Sequence, residues 1–114
     1  MADRYTSQAR RAIELAVEAT RELRHGYVGT EHLLLGLLRE GNGVAARVLE
    51  SHDVTEEKIV ELIDKLLSTS AFVAVDDDME YSPVAARVLE AADQESRRYK
   101  SKLVGTEHIL IAIL

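Results

Sequence analysis

Ala9, Ala12, Ile13, Ala16, Val17 and Leu23 recur at three- and four-residue spacing, which predicts an amphipathic helix capped by Thr6 and running to about Arg24. The stretch "HGYVGT" breaks the period, and Gly26 and Gly29 are expected to supply turn freedom. A second helix is predicted over about Thr30 to Arg39. Its five leucines around Gly36 leave it no polar face, so it should be almost fully buried. "EGNG" ends it on glycine, and a short helix follows over Val44–Glu50. Asp53 is expected to cap a fourth helix over about 54–67, with Glu56 completing a capping-box-like pattern. Ile59, Leu62, Ile63 and Leu66 would form its buried stripe. Residues 68–80, "STSAFVAVDDDME", lose the period and carry three consecutive Asp, and are read as a linker. Ser82-Pro83 restarts the pattern, with Ser as N-cap and Pro at the first helical position, where its missing N–H costs nothing. One helix should then run to about Lys100 and another begin near Thr106.

The restart is a repeat. Aligned without gaps at an offset of 76, residues 6–38 match residues 82–114 at 12 of 33 positions. The identities run from Ala9/Ala85 through all of Gly-Thr-Glu-His to Leu38/Leu114, and they span two helices and the loop between them. A rival register, "VAARVLE" at 44–50 and 84–90, fades within a few residues and reads as two similar Ala-rich helices. The chain thus divides into a first unit over 1–67, an acidic linker over 68–80 and a second, incomplete unit over 81–114. Counterparts of 39–67 do not follow the second copy, which ends on the apolar "ILIAIL". An uncovered apolar end of this kind is unusual in a soluble monomer. The favoured expectation is a piece of a longer protein; dimerisation, or cover by helices of the first unit, are the alternatives.

Composition narrows the class. The 114 residues suffice for one core that buries roughly two-thirds of the unfolded surface. Leu, Ala, Val and Ile dominate the apolar set, aromatics are scarce, and the class expected is all-α. A net charge of −6 with no basic face argues against nucleic acid as a partner. No run of about 18 apolar residues suggests a membrane span, and the N-terminus lacks a signal-peptide core. The absence of cysteine removes disulfides and thiolate metal sites, and a cytoplasmic setting is the default.

Chemistry concentrates at the repeated phrase. Glu31-His32 and Glu107-His108 each open a helix, but no H-E-x-x-H occurs and each unit offers only one His there, so no metal site is expected. The His rings are expected to pack in the core with their nitrogens satisfied by backbone or loop. Each Glu sits where the macrodipole favours a carboxylate, which serves structure and function equally well. Thr6 and Ser82 open helices whose free N–H groups form a ready anion site. A helix start beside a carboxylate would suit a ligand that carries an anion and a cation a few ångströms apart. No Walker A pattern, G-x-S-x-G elbow or G-x-G-x-x-G appears, there is no thiol nucleophile, and a catalytic carboxylate pair would have no evident cleft, so no enzyme is expected.

"GTEHLLLGLLREGNGVAARVLES" at 29–51 and "YSPVAARVLE" at 81–90 resemble the N-terminal double repeat of Clp ATPases, in particular ClpC-type unfoldases. The resemblance covers essentially the whole chain. It implies two pseudo-twofold-related repeats, of four helices each in the family, the second truncated here after its second helix. It also implies a non-catalytic domain that receives adaptor proteins and substrates for an AAA+ unfoldase feeding a Clp peptidase. No cofactor belongs to such a domain, ATP being bound elsewhere in the parent chain. The resemblance further implies binding of phosphoarginine, one per repeat, which pairs Thr6 with Glu31 and Ser82 with Glu107. Ser82 in place of Thr, "YKSKLVGTEH" without the usual Gly-His, and Ala112 in place of Gly36 make the second site the weaker one. A stand-alone Clp protease accessory protein and the N-domain of a ClpB-like disaggregase are the alternatives.

Overall fold

The computed structural model describes residues 4–67 and 80–114, without the side chains of Leu66 and Leu67. The expected linker therefore lies outside the described residues, Glu80 apart. Six helices follow one another: α1 (Ser7–Glu22), α2 (Thr30–Glu40), α3 (Val44–Ser51), α4 (Glu56–Leu67), α5 (Pro83–Arg98) and α6 (Thr106–Ile113). The class is all-α, as the period implies; only two isolated β-bridges interrupt it among the described residues.

Thr6 and Ser82 cap their helices as expected. The Oγ1 of Thr6 accepts the Ala9 N–H at 3.0 Å, and the Oγ of Ser82 accepts the Ala85 N–H at 3.0 Å. Close packing of α1 on α2 depends on Gly36, since a Cβ there would run into the Ala12 carbonyl oxygen and Ala16. Leu33, Leu35 and Leu37 of α2 are fully buried, a contribution of about 1.5–3 kcal/mol each. The two units share one interior. Ala9, Ala12, Leu37 and Ala45 pack with Ala92, Val104, Ile109 and Leu110, while Ala16, Val28 and Leu33 pack with Ala85 and Val88.

The fourth helix departs from expectation. Asp53 does not cap it; the Asp53 backbone is left-handed, with φ 60°, just beyond α3. Thr55 takes the role, its Oγ1 accepting the Lys58 N–H at 3.2 Å. Glu56 turns instead to Arg39, whose Nε donates at 2.8 Å and whose other arm reaches Glu22 at 3.0 Å, so one guanidinium ties α4 to α2 and α1. Burial of α4 rests on Ile59 and Ile63 against Ala19, Leu35 and Leu38, whereas Leu62 is 52% exposed. Leu62 thus falls outside the expected stripe, and the Leu66 side chain lies outside the described residues.

The α1–α2 and α5–α6 turns also differ from expectation. Neither Gly26 nor Gly29 is left-handed. Arg24 and Lys100, equivalent across the repeat, carry φ 60° and end α1 and α5. At Gly29 and Gly105 a Cβ would meet only the carboxylate of Glu31 or Glu107, the movable end of a flexible side chain. Gly41, with φ 79°, closes α2 as "EGNG" implies. On α6, Ile109 and Leu110 are buried and Ile111 is exposed, as is Leu114 just beyond it. No described helix is long and apolar enough to cross a membrane.

Candidate functional site

Two backbone clasps join the units crosswise. In one, the Thr6 N–H donates to the Val104 carbonyl at 2.9 Å and the Val104 N–H returns to Arg4. In the other, the Ser82 N–H donates to the Val28 carbonyl at 2.8 Å, and the Val28 N–H donates to Glu80 at 2.9 Å. Arg4 reinforces the first clasp with an ion pair to Asp93 and a bond to the Lys102 carbonyl at 3.1 Å. The Asp93 carboxyl is held below the usual range chiefly by its hydrogen bond from Arg97, then by Arg4. Burial pushes the hydroxyls of Tyr5 and Tyr81 up, and Tyr81 adds to the effect on Tyr5.

The clasps correct the pairing of candidate residues. Helix α1 has 16 residues, about 24 Å of length, and a short turn joins its far end to α2. Thr6 therefore lies a helix length from Glu31. Instead Thr6 and Glu107 line one cleft of about 330 Å³, together with Gln8, Gly43, Arg47 and Thr106. By the same crossing, Ser82 is held at the loop that leads into Glu31. Each candidate site thus combines one repeat's helix start with the other repeat's carboxylate.

The Thr6–Glu107 cleft is lined by groups of both charges. Ser7 and Gln8 stand in the first turn of α1, where N–H groups have no helical acceptor. Arg47, exposed on α3, adds a cation to the lining, and Glu107 adds a half-buried carboxylate. Arg47 was not among the sequence candidates. Its only signal was membership in "VAARVLE", where it reads as one more solvent-facing position. Across the pseudo-twofold, Pro83 stands where Ser7 stands, so the α5 start has one N–H fewer. That is a physical reason for the second site to bind an anion more weakly.

Thr30 and Thr106 do not cap their own helices. Gly29 and Gly105 occupy those positions, and the Thr106 Oγ1 reaches across to accept the Ala45 N–H of α3 at 3.2 Å. The Glu40 carboxylate accepts the neighbouring Gly43 N–H at 2.7 Å, which fixes the wall that carries Arg47. His32 and His108 fill the role given them by the sequence. Each Nδ1 accepts the N–H of its Gly29 or Gly105 at 2.8 Å. Burial lowers the His32 pKa to about 4; Glu31 opposes that shift and His25 adds to it. Among the described residues no cluster of His, Asp and Glu could hold a metal ion. A larger hollow of about 520 Å³ runs along α4, lined by Glu56, Glu57, Val60, Glu61 and Asp64; four carboxylates and no cation make it a poor seat for an anion.

Residues 4–114 match the Clp repeat (R) N-terminal domain family. The chain belongs to that family. It is 41% identical over 111 residues to the ATP-binding subunit ClpC of the ATP-dependent Clp protease from Staphylococcus saprophyticus, and 40% identical to that of Staphylococcus aureus. Those alignments take in 97% of this chain but 13% of each relative. Among solved structures, the N-terminal domain of the Arabidopsis thaliana chaperone ClpD is similar at TM-score 0.76 and 27% identity, over 99% of this chain and 77% of that one. The N-domain of Vibrio cholerae ClpV shares the fold at TM-score 0.76 and 22% identity, over 96% and 65%. A ClpV N-domain has also been solved in complex with a VipB peptide, at TM-score 0.72 and 20% identity, over 96% of this chain and 66% of that one.

Proposed function

We propose that this Clp N-terminal domain is the non-catalytic recognition module of a cytoplasmic ClpC-type unfoldase that feeds a Clp peptidase. Its ligands are adaptor proteins and proteins tagged with phosphoarginine. Residues 1–67 and 81–114 would form its two repeats, with 68–80 as the linker. One phosphoarginine site joins Thr6 to Glu107, and the other joins Ser82 to Glu31.

The observation that carries the reading is the Thr6–Glu107 cleft, which a helix start, Arg47 and a carboxylate line together. Phosphoarginine joins an anionic phosphoryl group to a guanidinium. The phosphoryl oxygens suit the first-turn N–H groups and Arg47, and the guanidinium N–H groups suit the Glu107 carboxylate. Neither free arginine nor inorganic phosphate pairs a phosphoryl anion with a guanidinium. Two weak sites on one domain would also capture a multiply tagged chain through effective concentration. Calorimetric titration with phosphoarginine, arginine and phosphate tests the reading: binding of the first alone is expected, and equal binding of phosphate would refute it. A ClpB-like role predicts no heat with any of the three.

A further inference from the structure

We propose that His25 and His32 form a proton-operated latch on the Val28–Ser82 clasp, which loosens on acidification while the Thr6–Val104 clasp stays closed. The Gly29 N–H can only donate, and it points at the Nδ1 of His32 at 2.8 Å. His32 must then carry its proton on Nε2, which lies 2.7 Å from the Nδ1 of His25. His25 is therefore the acceptor, and its own proton sits on its Nε2. Both rings are neutral, and no extra proton fits. A proton on the Nδ1 of His32 would face the Gly29 N–H. One on the Nδ1 of His25 would face the N–H of His32.

Opening the pair releases more than two rings. The His25 N–H is anchored to the Thr20 carbonyl at 3.0 Å, and three residues later Val28 makes both bonds of the clasp to Glu80 and Ser82. Gly29, the other partner of His32, precedes the turn that carries Glu31. His32 is 1% exposed, so its cation has no water to receive it. Among the surrounding charged groups, Glu31 favours that cation and His25 opposes it. The end of α1 brings the exposed Arg21 and Arg24, and the lead-in to α5 brings Glu80 and Tyr81.

The second clasp is an internal control. His108 makes the same bond to the Gly105 N–H, but Ser101 stands where His25 stands in the first repeat. No second ring is available there to receive the Nε2 proton, so only one clasp carries the ring pair.

The test is amide NMR of the full chain from about pH 7.5 down to about pH 4, the value to which burial lowers His32. The Val28, Gly29 and Ser82 amides are expected to move or broaden on acidification, while those of Thr6, Val104 and Gly105 stay in place. His25→Ser should reduce the response of the first clasp to that of the second, and His25→Asn should do the same. Equal responses of the two clasps in wild type, or an unaltered response in both variants, would overturn the latch. The test needs no ligand, so it stands or falls apart from the phosphoarginine reading.

Discussion

The backbone N–H of Ser82 donates to the carbonyl oxygen of Val28 at 2.8 Å, which seats the start of α5 beside the loop that leads into Glu31. Its counterpart between Thr6 and Val104 seats α1 beside Glu107. The repeats therefore exchange helix starts, and neither candidate site belongs to one repeat alone.

Loss of either cap should be felt as stability. Thr6→Val and Ser82→Ala each leave a first-turn N–H without its acceptor, and urea unfolding should report a loss of about 1 kcal/mol for each. An unchanged midpoint for both would mean that the clasps, not the hydroxyls, hold these helix starts.

Gly36→Ala places a methyl group against the Ala12 carbonyl and Ala16, at the closest approach of α1 to α2. Overpacking of this kind costs about 1–3 kcal/mol, and the melting temperature should fall accordingly. Ala112 occupies the equivalent place on α6 and packs against the core, so Ala112→Gly should cost the helix-propensity difference of about 0.5–1 kcal/mol plus part of a buried methyl's roughly 0.8 kcal/mol.

The buried His32 sets a pH dependence. Its folded pKa of about 4 lies below the ordinary 6.5, so between these values the unfolded chain binds more protons than the folded one. Its contribution is complete above about pH 6.5, declines as pH falls, and levels off below about pH 4, with a total loss of about 3 kcal/mol. His32→Gln keeps an acceptor for the Gly29 N–H without a titrating ring. Urea unfolding against pH should show a flatter profile in that variant than in wild type; parallel profiles would assign the acid sensitivity to other groups.

Local features were legible in the sequence because local chemistry decides them. Thr6, Ser82-Pro83 and the Gly41 turn announce helix ends, and the leucines of α2 announce burial. Asp53 and Thr55 are both competent caps, and only the left-handed turn after α3 settles the choice in favour of Thr55. The crossed sites were illegible because a repeat in sequence says nothing of which copy lends its helix start to which carboxylate. Arg47 escaped notice because an exposed arginine on an amphipathic helix is ordinary until a cleft is seen beside it. The His25–His32 bond spans a turn that spacing alone does not shape.

The crossed architecture is tested most directly by phosphoarginine titration of two double variants. In Thr6→Val with Glu107→Gln both changes fall in one cleft, so one binding event should persist at wild-type affinity. In Thr6→Val with Glu31→Gln the changes fall in different sites, and both binding events should weaken. The reverse pattern, with Thr6→Val and Glu31→Gln sparing one site, would contradict the account.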